Sequence, residues 1–494
     1  MRAADQAPDT KAYRYQRIAD AIQRRVDANH WMRDERLPSV RHFMHEYEAS
    51  MSTVVRALIL LESAGVLRSV PRSGWYLARK PAPPPAARAV APVPQAGTGE
   101  LVLRVLAPAP KGGAPLLSMG STTLDPGLVP VHSLNRSLAA VARTQGHLGA
   151  LPALGHYGLR MQIAKLMAGR NVHVAPDDIL ITSGDGHCLE TILQILVPPG
   201  GLVAVECPTY FGNLQAIEAL GLRTLEVATD GKTGIDLEAL ARAFERDTIS
   251  AVIVTSNCQN PLGFSMSPEA KIALLELADR HGATVIDDDV YGDLHFQKRS
   301  SAALLSYDRS GRVVYFSSFS KTLSSNWRVG WIIPGIWKTR LLEQRTVRAA
   351  SPSALPQAVL AHYLAKRDYQ RHVSHLREVF SCQVPRVREA ILRHFPSGTR
   401  VSEPSGGYVF WIELPENIDA VRLSELAFEQ GVNVAPGVIF SSGRQFERHI
   451  RLSIGAPFSQ LIETAIRTVG AAAQKLAARP PQPRSRETTS GGTV

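Results

Sequence analysis

Apolar residues recur at helical spacing near the start of the chain. Four of them predict a first amphipathic helix: Tyr15, Ile18, Ile22 and Val26. A second helix is predicted to open at Leu37-Pro38-Ser39, because proline is tolerated at a helix start and serine can cap it. A third, over about residues 52–63, carries an apolar stripe at i, i+3, i+4 and i+7: Val54, Ala57, Leu58 and Leu61.

After Gly65 the pattern changes from helical spacing to short apolar runs. Residues 66–70 and 75–78 predict two strands, joined by the turn Pro71-Arg72-Ser73-Gly74. Three helices followed by a hairpin are typical of a winged helix-turn-helix. The first 79 residues are therefore predicted to form a head of this kind.

Proline interrupts the chain directly after the head. Six prolines fall within residues 80–99, which is too many for a packed helix or sheet. We predict a Pro/Ala-rich linker over residues 80–114. The tail at 479–494 has a similar bias and is predicted to be disordered.

Beyond the linker, over residues 115–478, short apolar strands alternate with longer helical stretches. Alternation of this kind predicts an α/β domain with a largely parallel sheet that is covered on both faces. Two later apolar segments, mixed with helices, predict a smaller α+β lobe. The predicted strands are 179–182, 202–206, 251–256, 284–287, 313–317 and 329–333 in the sheet, with 408–414 and 450–454 in the smaller lobe.

Composition adds only broad limits. The 494 residues are 45% apolar and 20% charged, as in ordinary globular proteins, and the length exceeds what one core usually supports. Residues 1–80 hold 14 Lys/Arg against 9 Asp/Glu, a modest bias toward a polyanion. Four scattered cysteines lack metal-ligand spacing, and no secretory leader or membrane span is recognisable. We expect a cytoplasmic protein with no metal and no membrane partner.

The predicted third helix divides into an apolar face and a polar face, as does a helix that enters the major groove of DNA. Hydroxyl groups at its start suit phosphate oxygens, and arginines suit guanine or phosphate. Taken singly, each such residue would equally be solvated surface. The residues expected to contact DNA are Arg36, Ser39, Arg41, Ser50, Ser52, Thr53, Arg56, Arg72 and Gly74.

The motifs of the head resemble those of the GntR family of winged-helix regulators. The family's RLPSxR, TV, LxxxG and SG elements are matched at residues 36–41, 53–54, 61–65 and 73–74. What the resemblance implies is recognition of a double-stranded DNA operator.

A lysine follows a hydroxyl-rich predicted strand in the segment 317–321, which reads SSFSK. Pyridoxal 5'-phosphate (PLP) needs an amine for its internal aldimine, a carboxylate for its ring nitrogen and donors for its phosphate. Lys321 is the predicted amine and the catalytic residue. Arg328 is expected to bind the phosphate with two N–H groups, and Ser318 and Ser320 are expected to donate hydrogen bonds to it. A surface lysine is the alternative, which the flanking serines and arginine disfavour.

Three carboxylates end another predicted strand at residues 287–289, an unfavourable cluster unless a cation or a cofactor lies close. We assign Asp288 to the ring nitrogen of PLP and Tyr291 to its phenolate oxygen. A solvated strand end or a magnesium site is the alternative, but neither accounts for the other groups.

Further groups complete the predicted site. Asn260 is expected to donate to the phenolate oxygen of PLP, and Tyr210 to stack on its ring. The glycine-rich strand-to-helix turn at 182–186 is a natural phosphate cradle and includes Gly184, Asp185 and Gly186. Arg451 would clamp the carboxylate of a substrate.

Together these groups resemble fold-type I aminotransferases over about residues 116–476, with the SxSKxxxxxxR, DxxY, NPxG and RLS motifs in the family's order. The resemblance implies a large PLP domain, a small lobe and a homodimer with its sites at the subunit interface. A GntR head joined to such a body is similar to the MocR family of regulators. Asp185 departs from the pattern, because a small residue usually stands there and a carboxylate repels phosphate. The alternative is that Asp185 turns outward or caps the following helix. The tyrosine that the family often has ahead of Gly155 is replaced by Ala150, so lower cofactor affinity is expected.

Two functions remain open from the sequence. One is a transcription regulator that senses an amino compound, or PLP itself, by aldimine exchange at Lys321. The other is a working PLP-dependent aminotransferase with an accessory head, since Lys321, Asp288, Tyr291 and Arg451 are all present.

Overall fold

The computed structural model describes residues 13–27, 30–31, 35–64, 66–70, 73–77, 99–106, 117–144, 151–297, 302–348, 352–366 and 368–478. Two compact units are divided between residues 82 and 83. Arg72, the predicted tail and all of the predicted linker except residues 99–106 lie outside the described residues.

The head consists of helices followed by a hairpin. Its elements are α1 Arg14–Asp27, α2 Val40–Glu46, α3 Met51–Ser63, β1 Leu67–Val70 and β2 Gly74–Leu77. The two strands are antiparallel, with Leu67 opposite Leu77. The predicted winged helix-turn-helix is confirmed.

The apolar stripes predicted from the sequence meet in one core. All four stripe residues of α3 are buried, and they pack with Ile18 and Ile22 of α1 and Phe43 of α2. Ser39 and Ser50 cap the following helices, since their hydroxyls accept hydrogen bonds from backbone N–H groups at 3.2 and 3.4 Å.

The body has an α/β architecture. Its helices are α4 Gly99–Leu106, α5 Val131–Thr144, α6 Tyr157–Ala168, α7 Asp185–Leu196, α8 Phe211–Ala219, α9 Leu237–Arg246, α10 Pro268–Arg280, α11 Lys338–Arg348, α12 Ala354–Ala365, α13 Asp368–His394, α14 Ala420–Glu429 and α15 Gln460–Ala477. Its strands are β3 Leu117–Ser118, β4 Leu180–Thr182, β5 Leu202–Cys207, β6 Arg223–Asp230, β7 Gly234–Ile235, β8 Ile249–Val254, β9 Thr284–Asp288, β10 Val313–Ser318, β11 Gly330–Ile333, β12 Arg400–Val401, β13 Val409–Glu413, β14 Val432–Asn433, β15 Ala435–Pro436 and β16 His449–Ser453.

The large sheet has the strand order β4-β11-β10-β9-β8-β5-β6-β7. Strands β10, β9, β8, β5 and β6 run parallel, and β11 is antiparallel to both of its neighbours. Alternate residues of β5 enter different apolar clusters, Leu202 and Ala204 in one and Val203 and Val205 in the other. Both faces of the sheet are therefore covered, as predicted, and the carboxyl ends of its parallel strands meet at one edge.

A smaller sheet with the order β12-β13-β16-β15 is antiparallel. It contains the two later strands predicted from the sequence. Its core is shared with α13, α14 and α15, through residues such as Val387, Leu423 and Ile466.

One helix lies within the predicted linker. Val102 and Val105 of α4 are each 2% exposed and belong to a core cluster of the body. The Asn433 side chain donates to the carbonyls of Arg104 and Val105 at 3.2 and 2.9 Å, and Arg104 pairs with Glu425 at 3.3 Å. No proline lies between Pro94 and Pro108, so the run GELVLRVL is free to form a helix. The prediction that residues 99–106 belong to the linker is thus corrected.

Within the described ranges, no helix combines the length and the apolar character of a membrane span, and no group of His, Cys, Asp and Glu side chains is arranged as a metal site. The four cysteines are free thiols, and Cys382 is exposed while the other three are buried.

Candidate functional site

One cavity lies at the carboxyl edge of the large sheet. Six residues predicted from the sequence line it together: Asp185, Tyr210, Asn260, Asp288, Tyr291 and Lys321. They are contributed by the start of α7 and by the segments that follow β5, β8, β9 and β10. The topology accounts for the convergence, because the ends of parallel strands in an α/β sheet form a common crevice.

Lys321 follows β10 and faces this cavity. Its Nζ donates to Thr122 Oγ1 at 3.1 Å and lies 5.9 Å from the ring centroid of Tyr291. Burial lowers the pKa of Lys321, but attraction to Tyr291 and Asp185 outweighs burial and raises the pKa above its ordinary value. The amine is therefore a cation in this arrangement, and it must lose a proton before it can act as a nucleophile.

Asp288 is the last residue of β9 and also faces the cavity. Its Oδ1 accepts a hydrogen bond from the Val290 backbone N–H at 3.4 Å. Burial, with repulsion from Asp185, raises the pKa of Asp288 to about 8. A cationic partner such as a protonated ring nitrogen would favour the ionised carboxylate and lower this pKa.

The two neighbouring carboxylates are held by other protein groups. Asp287 accepts a hydrogen bond from the Ser256 backbone N–H at 3.3 Å. Asp289 forms a buried ion pair with Arg170 and accepts a hydrogen bond from Asn257 at 3.0 Å. Of the three adjacent carboxylates, Asp288 alone lines the cavity.

Tyr291 is 1% exposed, and its hydroxyl has no hydrogen-bond partner among the described residues. The ring packs edge-on against Tyr408 at a centroid distance of 5.5 Å. A buried hydroxyl without a partner is unfavourable by about 1–3 kcal/mol. An oxygen atom of a bound cofactor would satisfy it, so this side chain fits the predicted group.

Arg451 on β16 is completely buried. It donates to Asn260 Oδ1 at 3.2 Å and to the Gly120 carbonyl, while its Nε has no partner among the described residues. Burial lowers the pKa of Arg451. No described carboxylate neutralises this buried guanidinium, so an anionic ligand would stabilise it. A carboxylate suits it best, because two parallel N–H groups of the planar guanidinium can donate to the two carboxylate oxygens.

The groups predicted to hold a phosphate gather at the start of α7. Gly184 caps this helix with φ 100°, and a Cβ there would lie 3.2 Å from Cζ of Arg328. The Arg328 guanidinium therefore lies close over the glycine backbone. Space next to Gly186 is open, and the Ser318 hydroxyl accepts a hydrogen bond from the Ser320 N–H at 3.3 Å.

Tyr210 caps α8 and lines the cavity beside Phe211, at a ring centroid distance of 4.5 Å. Burial raises its pKa. Its stacking on a cofactor ring stays a prediction.

Sequence reasoning missed Thr122 and Thr255, which also line the cavity. Thr122 accepts the hydrogen bond of Lys321 from a position 199 residues away. Its only sequence signal is the hydroxyl-rich run SMGSTT at 118–123, which has no spacing relation to the lysine.

The residues predicted to contact DNA lie on the surface of the head. All of the described ones are exposed except Thr53 and Gly74, which are partly buried, and the exposed Ser39 also caps α2. On α3, Ser50 bonds with Ser52 and Thr53, and Arg56 lies over the ring of Tyr15 at 4.6 Å. Arg36 lies beside Gly74 on the hairpin, and its backbone bridges to Tyr76. The polar start of α3 and the hairpin thus both face solvent.

Comparison with known proteins matches the two units separately. Residues 14–77 match the model of the bacterial regulatory proteins, gntR family, and residues 116–469 match aminotransferase class I and II. The HTH-type transcriptional regulators YdcR and YjiR of Escherichia coli K12 are 34% and 33% identical to this chain; the alignments cover 92% and 93% of the chain and 98% of each relative.

A solved structure supports the fold of the body. LysN, the alpha-aminoadipate aminotransferase of Thermus thermophilus, is similar with a TM-score of 0.70 and 27% identity. The match covers 78% of this chain and 96% of LysN.

Proposed function

Since this chain belongs to the MocR-type regulators, which join a gntR-family helix-turn-helix region to an aminotransferase class I and II domain, we propose that it is a cytoplasmic, PLP-dependent transcription regulator. Its head binds an operator in double-stranded DNA, and its body holds PLP on Lys321 and reads an amino compound or PLP itself. The observation that carries the proposal is the convergence of Lys321, Asp288 and Asn260 on one cavity, with Arg451 bonded to Asn260.

Each side chain has a distinct task in this proposal. When bound, PLP supplies an aldehyde that condenses reversibly with amines. Lys321 provides the resident amine, and Thr122 receives its hydrogen bond while it is free. Asp288 balances the positive charge of the protonated ring nitrogen, and Tyr291 donates a hydrogen bond to the phenolate oxygen. Arg451 binds a carboxylate or similar anion of the effector.

In this proposal the amine of an effector would compete with the Lys321 amine for the aldehyde that PLP supplies when bound. Arg451 lies on β16 of the smaller sheet, whereas Lys321 follows β10 of the large sheet. An effector held at both places would favour one arrangement of the two sheets. We propose that the protein acts as a homodimer, in which such a change alters the spacing of two heads on a two-part operator.

The first experiment tests the resident amine. Protein supplemented with PLP is treated with borohydride, and the modified peptide is identified by mass spectrometry. The adduct is expected at Lys321, and it should be absent from Lys321→Ala and from Lys321→Arg, which keeps the positive charge. A reduced adduct that persists in either variant would show that another amine holds PLP.

The second experiment tests the operator. Footprinting is done on the DNA upstream of the protein's own gene at a fixed, moderate salt concentration. It is expected to show a protected site whose affinity for the protein changes with PLP or an amine. Arg41→Ala and Arg56→Ala should weaken binding without altering the PLP spectrum. Arg242→Ala, which removes an exposed arginine of the body, is the matched control. Equal loss in all three variants would mean that only bulk charge matters.

A working aminotransferase is the second candidate function. It is favoured by the presence of an amine for the aldehyde, groups for the ring and a group for a substrate carboxylate: Lys321, Asp288, Tyr291 and Arg451. The likeness of the body to LysN also favours it. Steady turnover of an amino acid with a keto acid would support this function. Spectral exchange without turnover would support the sensor.

A further inference from the structure

The carboxylate of Asp185 stands among the groups that would hold the phosphate of PLP. Asp185 is the first residue of α7, directly after Gly184, over which the Arg328 guanidinium lies. Backbone N–H groups at the start of a helix attract anions, and they are the natural ligands of a phosphate. Here the protein supplies an anion of its own at that position.

A donor predicted for the phosphate is already engaged by this carboxylate. Ser320 is 5% exposed, and its hydroxyl donates to Asp185 Oδ1 at 3.1 Å. Asp185 also lines the cavity next to Lys321 and is only partly exposed to solvent. Among the described residues, no lysine or arginine forms an ion pair with Asp185, so its charge is not cancelled by direct contact.

From these contacts we propose that Asp185 is a specificity-determining residue, which weakens the hold of the site on the phosphate group and so makes PLP an exchangeable ligand. The inference rests on the proposed function of the body. A phosphate dianion within reach of Arg328 and Ser320 meets the negative charge of Asp185 at short range, where like charges repel each other. Asp185 also acts on the pKa of Lys321 and of Asp288, but those effects are common to every aldehyde of this ring, so only the repulsion of the phosphate distinguishes PLP from pyridoxal.

The consequence concerns what the protein measures. A site that holds the phosphate tightly stays saturated, whereas a site with a resident carboxylate fills and empties as the concentration of PLP changes. The inference therefore favours PLP itself as a signal. It also predicts little discrimination between PLP and pyridoxal, the same aldehyde without phosphate.

Equilibrium titration of the full chain tests this. PLP and pyridoxal are each added to the original protein, Asp185→Ser and Asp185→Asn, and the Lys321 adduct is followed by absorbance. Asparagine keeps the shape of the side chain and can still accept the Ser320 hydrogen bond. Both variants are expected to raise the affinity for PLP relative to that for pyridoxal at least about tenfold. The readout is the ratio of the two constants, so the ring closure of free pyridoxal cancels between proteins.

Asp177→Asn is the matched control, since it removes an exposed carboxylate from outside the cavity lining and should leave the ratio unchanged. The inference is overturned if the Asp185 variants keep the original ratio, or if they bind both aldehydes more tightly by the same factor. Those results leave the proposed function intact. If no protein in the series forms an adduct with either aldehyde, the proposed function fails, and this inference fails with it.

Discussion

Replacing Asp289 by asparagine tests how the body divides its three adjacent carboxylates. The Asp289 side chain is completely buried, and that of its partner Arg170 is 5% exposed. Asp289→Asn keeps the size of the side chain, and its oxygen can still accept the Asn257 hydrogen bond. What the substitution removes is the negative charge that balances a buried guanidinium.

The expected loss of stability is large because Arg170 has no room to move. A Cβ on Gly292 would overlap the Arg170 guanidinium, so the backbone of the next segment packs directly on it. Removing one partner of a buried ion pair typically destabilises a protein by about 3–5 kcal/mol. Asp177 supplies the comparison, because it pairs with Arg160 at 2.8 Å but is 70% exposed. Asp177→Asn should lower the free energy of unfolding by less, because Asp177 is solvated and its partner Arg160, although buried, still donates to the carbonyls of Gly155 and Pro176.

Denaturant unfolding of the full chain measures both variants. Head and body are separate units, so the transition of the body is the one compared. If Asp289→Asn and Asp177→Asn shift the denaturation midpoint of the body equally, the argument that burial determines the loss is refuted. The Lys321 adduct is the second readout and should still form in Asp289→Asn. Loss of the adduct at unchanged stability would mean that Asp289, rather than Asp288, serves the ring nitrogen.

Further predictions concern the head and the pH dependence of the body. Leu58→Ala removes a completely buried side chain, so it should destabilise the head by about 2–5 kcal/mol and abolish operator binding, while the PLP adduct still forms. Leu60→Ala, at a position 41% exposed, should neither destabilise the head nor abolish operator binding. Footprinting distinguishes the two variants. Ser50→Ala removes the cap of α3 and should cost about 1 kcal/mol in thermal unfolding, an effect that would be absent if the cap were not formed. Burial raises the pKa values of Asp288 and Glu206 to about 8, so the folded body without PLP retains protons that the unfolded chain has released. These two acids make the stability fall as pH rises from about 4 to about 8, whereas the lowered pKa values of His295 and His449 make it rise below about pH 6.5. The test is therefore the difference between the original protein and Asp288→Asn, which should lose part of the fall, and identical pH profiles would contradict the assignment.

The sequence was informative wherever periodicity and burial coincide. The stripe of α3 was predicted residue by residue, because an amphipathic helix buries the same face that its spacing marks. Six of the eight strands of the large sheet were found because strands covered on both faces read as unbroken apolar runs. The cavity residues followed from those strands, since each lies shortly after a strand end.

Contacts between distant segments could not be predicted in this way. Nothing in local spacing connects Thr122 with Lys321 or Arg170 with Asp289. The direction of each carboxylate at 287–289 depends on the neighbouring strands and helices, so the sequence left a cofactor, a magnesium ion and plain solvent all open. β6 was missed because polar and charged residues interrupt its apolar run, RTLEVATD.

The hold of Asn433 on α4 has a mechanical consequence. Its side chain bonds the last carbonyls of α4, while its backbone pairs with Ser118 in β3. Two residues further on, Ala435 pairs with Arg451. The first described helix of the body is thus fastened to the strands around the buried arginine. A displacement of those strands would therefore move α4, the described segment that follows the head most closely along the sequence.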